Sequence, residues 1–159
     1  MGLGESVTTG HGLRTHTTPA HKLAPAPDVV VMPAPGVKES HHVIGLVAGH
    51  PILSWINRVA EQGAALAAAC TGTFFLAEAG VLDGRRATTS WWLGPAFRKR
   101  YRAVDLNETY TRVHAGQVTT AGAAFAHIDL ALSIVRHQSP ALAELVSRHL
   151  LIGDRPSQA

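Results

Sequence analysis

The chain has one cysteine among its 159 residues, Cys70. A single cysteine excludes a disulfide scaffold and a zinc site built of cysteines alone. Aromatic residues make up only 6% and charged residues 16%, against 46% hydrophobic, with a mean hydropathy of +0.10. That is a folded domain with a good-sized core, and its length is one domain's worth. No apolar run reaches about 18 residues, so no membrane-spanning helix is expected. The opening MGLGESVTTGHG has neither the basic segment nor the apolar stretch of a secretory signal, so a reducing cytoplasm is the expected location.

Charge of one sign is also scarce. Fourteen basic against eleven acidic residues give a formal charge of +3, too mild to argue for nucleic acid. One cluster, Arg85, Arg86, Arg98, Lys99, Arg100 and Arg102, reads as a solvated helix face or partner contact, or else as an anion surface. Ten histidines are present, but none are paired as HxxxH, so no metal site and no cofactor are expected.

The order of elements points to a layered α/β sheet. Residues 1–27 read as a small ribbon or linker, with strand-like pieces at Ser6–Thr8 and Leu13–Thr15 around Gly10 and Gly12. Asp28 to Met32 is a buried strand, closed by Pro33. Pro51 opens a helix striped by Ile52, Trp55, Ile56, Val59 and Ala60. Ala64 to Ala69 is a second buried strand, followed by a sharp turn at Cys70-Thr71-Gly72 and a helix to Glu78. Further strands are expected at Ala87–Thr89, Tyr101–Leu106, Glu108–His114 and Gln117–Thr120, the last two paired around Ala115-Gly116. Between them a helix is expected from Ser90 or Trp91 through Arg100. A long helix after Gly122 carries Ile128, Ala131, Leu132 and Val135. A last helix, capped by Ser139-Pro140, puts Leu142, Leu145, Val146, His149 and Leu150 on one face and ends at Gly153.

In such sheets the chemistry sits at the carboxyl ends of the strands. Two loops qualify, Pro33 to Val37 and the Cys70 turn. A side chain at a strand-to-helix turn meets unpaired helix amides, which stabilise a thiolate and can hold an oxyanion. Only small residues fit there, and Ala69, Thr71 and Gly72 comply. An inert core thiol is the plainer alternative.

Ala-Cys-Thr-Gly followed by Phe-Leu-Ala-Glu-Ala-Gly-Val-Leu-Asp-Gly-Arg-Arg-Ala-Thr-Thr resembles the ThiJ/PfpI superfamily, and within it the GlxA-type domain at the amino end of many AraC-type regulators. Asp28–Pro33, Val118–Gly122 and Ile128–Leu132 match further motifs in the expected order, so the resemblance runs from Asp28 to Ala159. It implies a three-layer α/β sandwich with a mainly parallel sheet, flavodoxin-like and similar to class I glutamine amidotransferases. It also implies a nucleophile elbow at Cys70. The amide of Thr71 and one from the Ala34–Val37 loop would line a pocket with Pro35, Gly36, Val37, Gly72, Ser90 and Trp91.

Three features depart from the pattern. Pro33-Ala34-Pro35-Gly36-Val37 stands in place of a Pro-Gly-Gly loop, and Pro35 has no N–H to give. Ser90 stands where many members have a histidine, and serine cannot be the imidazole base. No room remains before Asp28 for the family's first strand–helix–strand unit and its acidic residue. Elsewhere, His127 reads as a surface or core-edge residue and Asp129 as a structural carboxylate. His114 remains a candidate base, and Trp91 and Trp92 either pack the next helix or line the pocket mouth.

The resemblance therefore implies a single domain, residues 1–159, that senses an unidentified small molecule and self-associates, with little or no catalysis. The alternative is a hydratase or hydrolase, similar to isonitrile hydratases, acting through Cys70. A redox-sensing thiol is a third reading. No helix-turn-helix is expected, and so no direct nucleic-acid binding and no membrane contact. Loss of the first unit would leave a sheet edge bare and favour a homo-oligomer.

Overall fold

The computed structural model describes residues 3–9, 11–123 and 125–152, so the expected roles of Gly10 and Gly153 and the polar tail lie outside the described residues. The core is a four-stranded sheet in the order β3-β4-β8-β7, from β3 (Val29–Met32), β4 (Ala65–Ala69), β7 (Arg112–Ala115) and β8 (Val118–Ala121). β3 pairs with β4 and β4 with β8 in parallel, while β7 and β8 form an antiparallel hairpin. Gly116 turns this hairpin at φ +65°, a conformation that favours glycine.

The sheet is covered on both faces because β4 alternates. Leu66 and Ala68 face one core with Val30 and Val118, beneath α1 (Ser40–Val47), α2 (Ile52–Glu61) and α3 (Thr73–Glu78). Ala67 and Ala69 face the other with Ala121, beneath α5 (Ala126–Gln138). α6 (Pro140–His149) packs on α5, its first turn capped by Ser139 Oγ, which accepts from the Leu142 amide at 3.2 Å.

Smaller pieces complete the chain. β1 (Ser6–Thr8) and β2 (Arg14–His16) form the exposed antiparallel ribbon. β5 (Arg86–Ala87) and β6 (Asp105–Leu106) make a separate parallel pair. A 3-10 turn, Trp91–Leu93, leads into α4 (Gly94–Arg100).

Several expectations change. α1 was not anticipated: only Val43 and Val47 of its residues are buried, and Gly45 and two histidines hide the pattern. α5 turns Ala126, Leu130 and Ile134 to the sheet, spaced four apart, while Ala131 is exposed. The apolar stripe of α6 faces outward, since Leu142, Leu145 and Leu150 are exposed and Ala143 is the residue buried. The strand expected over Tyr101–Leu106 shrinks to β6. Tyr101 instead packs edge-on with Phe74, and Phe97 lies beside both rings. α2 opens at Ile52, just after Pro51, and the Ile52 amide donates to His50 Nδ1 at 3.2 Å. Among the described residues nothing pairs with the outer side of β3, and its Val31 is 48% exposed.

Three residues of the basic cluster find acids, and Arg85 instead donates to Ala115 O. Arg86 pairs with Asp105, Arg98 with Glu108, and Arg100 with Glu78. Arg100 and the Tyr101 hydroxyl both donate to the Glu78 carboxylate, and the Arg100 bonds hold that carboxyl below its ordinary range. A lowered folded-state value means stability that is present above the unfolded value, about 4.3, and lost as pH falls through the folded one. With the Arg100 side chain 36% exposed, solvent screening limits the effect. Glu78→Gln should therefore cost about 1 kcal/mol at pH 7. Urea melts should show the gap from the parent narrowing as the pH falls below about 4.3.

Candidate functional site

Cys70 follows the last residue of β4 and adopts φ +55°, the left-handed region that a non-glycine residue rarely enters. Contacts on every side hold it there. Its amide donates to Gly122 O at 3.1 Å, and its carbonyl accepts from Thr89 Oγ1 at 2.7 Å. A 3-10 turn, Cys70–Gly72, then runs into α3. Gly72 has an ordinary helical φ of −61°, so its need for glycine is one of space. An added Cβ would overlap Met32 O and lie 3.0 Å from Pro33 O. This contact brings the start of the Pro33–Val37 loop against the Cys70 turn.

The sulfur is half-buried and accepts a hydrogen bond from Ser90 Oγ at 2.7 Å. Among the described residues no imidazole and no carboxylate bonds to it. Thr88, Thr89 and Ser90 are all buried and wrap the turn. Thr88 N donates to Thr120 Oγ1 at 2.9 Å, Thr88 Oγ1 donates to Tyr110 O at 2.9 Å, and Thr73 Oγ1 donates to Thr88 O at 3.3 Å. Buried polar groups are normally satisfied in this way. Among the described residues Thr71 Oγ1 is the exception, buried with no partner.

The structure thus gathers Cys70, Thr71, Gly72 and Ser90 at the carboxyl end of β4, next to the loop bearing Pro35, Gly36 and Val37. Val37 packs on the core and Gly36 is exposed at φ +76°. Trp91 is 71% exposed and meets Trp92 edge-on, with ring centroids 5.9 Å apart. His114 sits on β7, where Nδ1 meets Thr119 Oγ1 at 2.9 Å. His127 is exposed in the first turn of α5 and Asp129 is half-buried there. Sequence reasoning missed Thr89, Thr120 and Gly122 as supports of the turn. Their signal was the hydroxyl-rich run Thr88-Thr89-Ser90 in a chain otherwise poor in buried polar groups.

These features define an α/β sandwich with a cysteine at a strained strand-to-helix turn. The chain belongs to the DJ-1/PfpI family, which it matches over residues 4–137. That span takes in the β1–β2 ribbon, which the resemblance read from Asp28 onward had left out, and it stops before α6. The HTH-type transcriptional regulator CdhR of Pseudomonas aeruginosa is 35% identical over 109 residues, 67% of this chain and 32% of that protein. Isonitrile hydratase of Pseudomonas putida is 30% identical over 131 residues, 82% of this chain and 54% of that one. A crystal structure of an AraC family transcriptional regulator from Pseudomonas putida superposes with a TM-score of 0.74 at 24% identity, covering 92% of this chain and 76% of that one. The chain therefore spans about a third of CdhR and about half of the hydratase. Among the described residues no single helix is long and apolar enough to cross a membrane.

Proposed function

We propose that this chain is a sensory, self-associating domain of the kind carried by AraC-type regulators, working in a reducing cytoplasm, with Cys70 at a nucleophile elbow that binds a small molecule and does not turn it over. The observation that carries this reading is the Ser90 hydroxyl on the Cys70 sulfur, where a catalytic thiol needs a base. A serine hydroxyl donates to the sulfur but cannot take the proton of a thiol at neutral pH. The likeness to the regulator CdhR supports the same reading. DNA contact is not assigned to this chain, since Arg86, Arg98 and Arg100 pair with acids and form no bare basic stripe.

The alternative is a Cys70-dependent hydratase, favoured by the strained φ at Cys70 and the likeness to isonitrile hydratase. The test is alkylation of the folded protein by iodoacetamide. Ser90→Ala removes a hydrogen bond to the sulfur worth about 1 kcal/mol and should slow alkylation at pH 7 by about three- to tenfold. A Cys70 that reacts only after unfolding removes both readings. Cys70-dependent formation of an N-alkylformamide from an alkyl isonitrile removes the sensor-only reading.

A further inference from the structure

A cleft of about 520 Å³ runs along the sheet beside α5, from the start of β3 and β4 to Arg112 on β7. Val29 of β3 with Ala65 and Ala67 of β4 give it an apolar floor, and Ile134 of α5 adds a wall. Its size falls within the range of small-molecule sites, about 300–1,000 Å³.

Its polar groups are unequal. Gln117 Nε2 already donates to Ala60 O, Ser133 Oγ donates to Leu130 O, and His114 and Thr119 bond each other. Half-buried Arg112 and exposed Arg136 line the same cleft, and among the described residues neither has an ion-pair partner. This contrasts with Arg86, Arg98 and Arg100, each of which has found an acid. Among the described residues no aspartate or glutamate lines the cleft. Arg136 sits in the last turn of α5, whose carboxyl end offsets only about half a unit charge. Two guanidiniums over an apolar floor leave a net positive concavity with planar, forked donors unused.

We propose that this cleft binds a small oxyanion, a carboxylate or a phosphate monoester, carried on a short apolar group. Arg112 and Arg136 hold the anion, and Val29, Ala65, Ala67 and Ile134 cover the apolar part. The proposal stands on the cleft alone and does not depend on the role given to Cys70.

The test is calorimetric titration of the whole chain with sodium octanoate and with octyl phosphate, with octanol as the neutral probe. Saturable binding of at least one anion is expected, with octanol at least about tenfold weaker. Which anion binds tells carboxylate from phosphate. Arg112→Gln/Arg136→Gln should weaken the anion about tenfold or more with an unchanged melting temperature, and Cys70→Ala should leave binding as it was. Equal affinity for octanol overturns the proposal, since the groove is then merely apolar. Unchanged binding in the double variant overturns it too. So does the absence of saturable binding by either anion, as when a second copy of the chain fills the cleft.

Discussion

Gly72→Ala should lower the melting temperature by about 6–12 °C. The added methyl group overlaps Met32 O and presses on Pro33 O, both backbone atoms. Met32 is the last residue of β3 and is registered against Ala68 of β4, so it cannot retreat without breaking the parallel ladder. Overpacking against fixed backbone sits at the upper end of its usual range, about 3 kcal/mol. For a chain of this size that converts at about 2–4 °C per kcal/mol. The same change should disturb Cys70, because Gly72 closes the turn that holds it at φ +55°. Calorimetry gives the first quantity and iodoacetamide kinetics the second. A variant melting within about 1 °C of the parent would mean that α3 can slide away from β3 freely.

The second large effect concerns self-association. Trp91, Trp92 and Phe125 are 71%, 40% and 67% exposed. Trp91 and Trp92 come directly after Ser90, the residue that donates to the Cys70 sulfur. Large exposed aromatics of this kind mark contact sites. Light scattering at micromolar concentration should give twice the 16.8 kDa chain mass. In a two-fold interface each residue counts twice. A hot-spot tryptophan is worth about 2 kcal/mol or more, so Trp91→Glu should weaken the dimer about a thousandfold and leave monomers. Because Trp91 is so exposed in the single chain, its loss should not unfold the domain. A monomeric parent would refute the prediction. A dimer that survives Trp91→Glu but dissolves in Val31→Lys would place the interface at the bare edge of β3 instead.

What could be read from the residues was what local pattern encodes. The β-branched run at Val29-Val30-Val31 and the small residues around Cys70 announced β3, β4 and the turn between β4 and α3. The motif order announced the family. Helix α1 stayed hidden because two valines four apart, with a glycine between them, make too faint a stripe. The sheet-facing side of α5 was misjudged because Ala131 and Leu130 look equally apolar, and only the sheet decides which is buried. The bond from Ser90 to Cys70 spans 20 positions and the pair Arg98–Glu108 spans 10, so neither has a local signature. Ser90 drew notice as a missing histidine, and its actual role as the sulfur's hydrogen-bond donor came from tertiary contact alone.

Strand β4 also acts as a ruler. Its five residues, at about 3.3 Å each, put Ala65 and Cys70 about 17 Å apart. The arginine-lined cleft starts at Ala65 and takes in Ala67, while its Arg112 stands in register with Ala121 at the thiol's end of the sheet. An occupant of the cleft and one at the thiol therefore share β4 and α5, which rests on Ala67 and Ala69 with alanine-sized clearance. A helix seated that closely cannot tilt at one end without moving at the other.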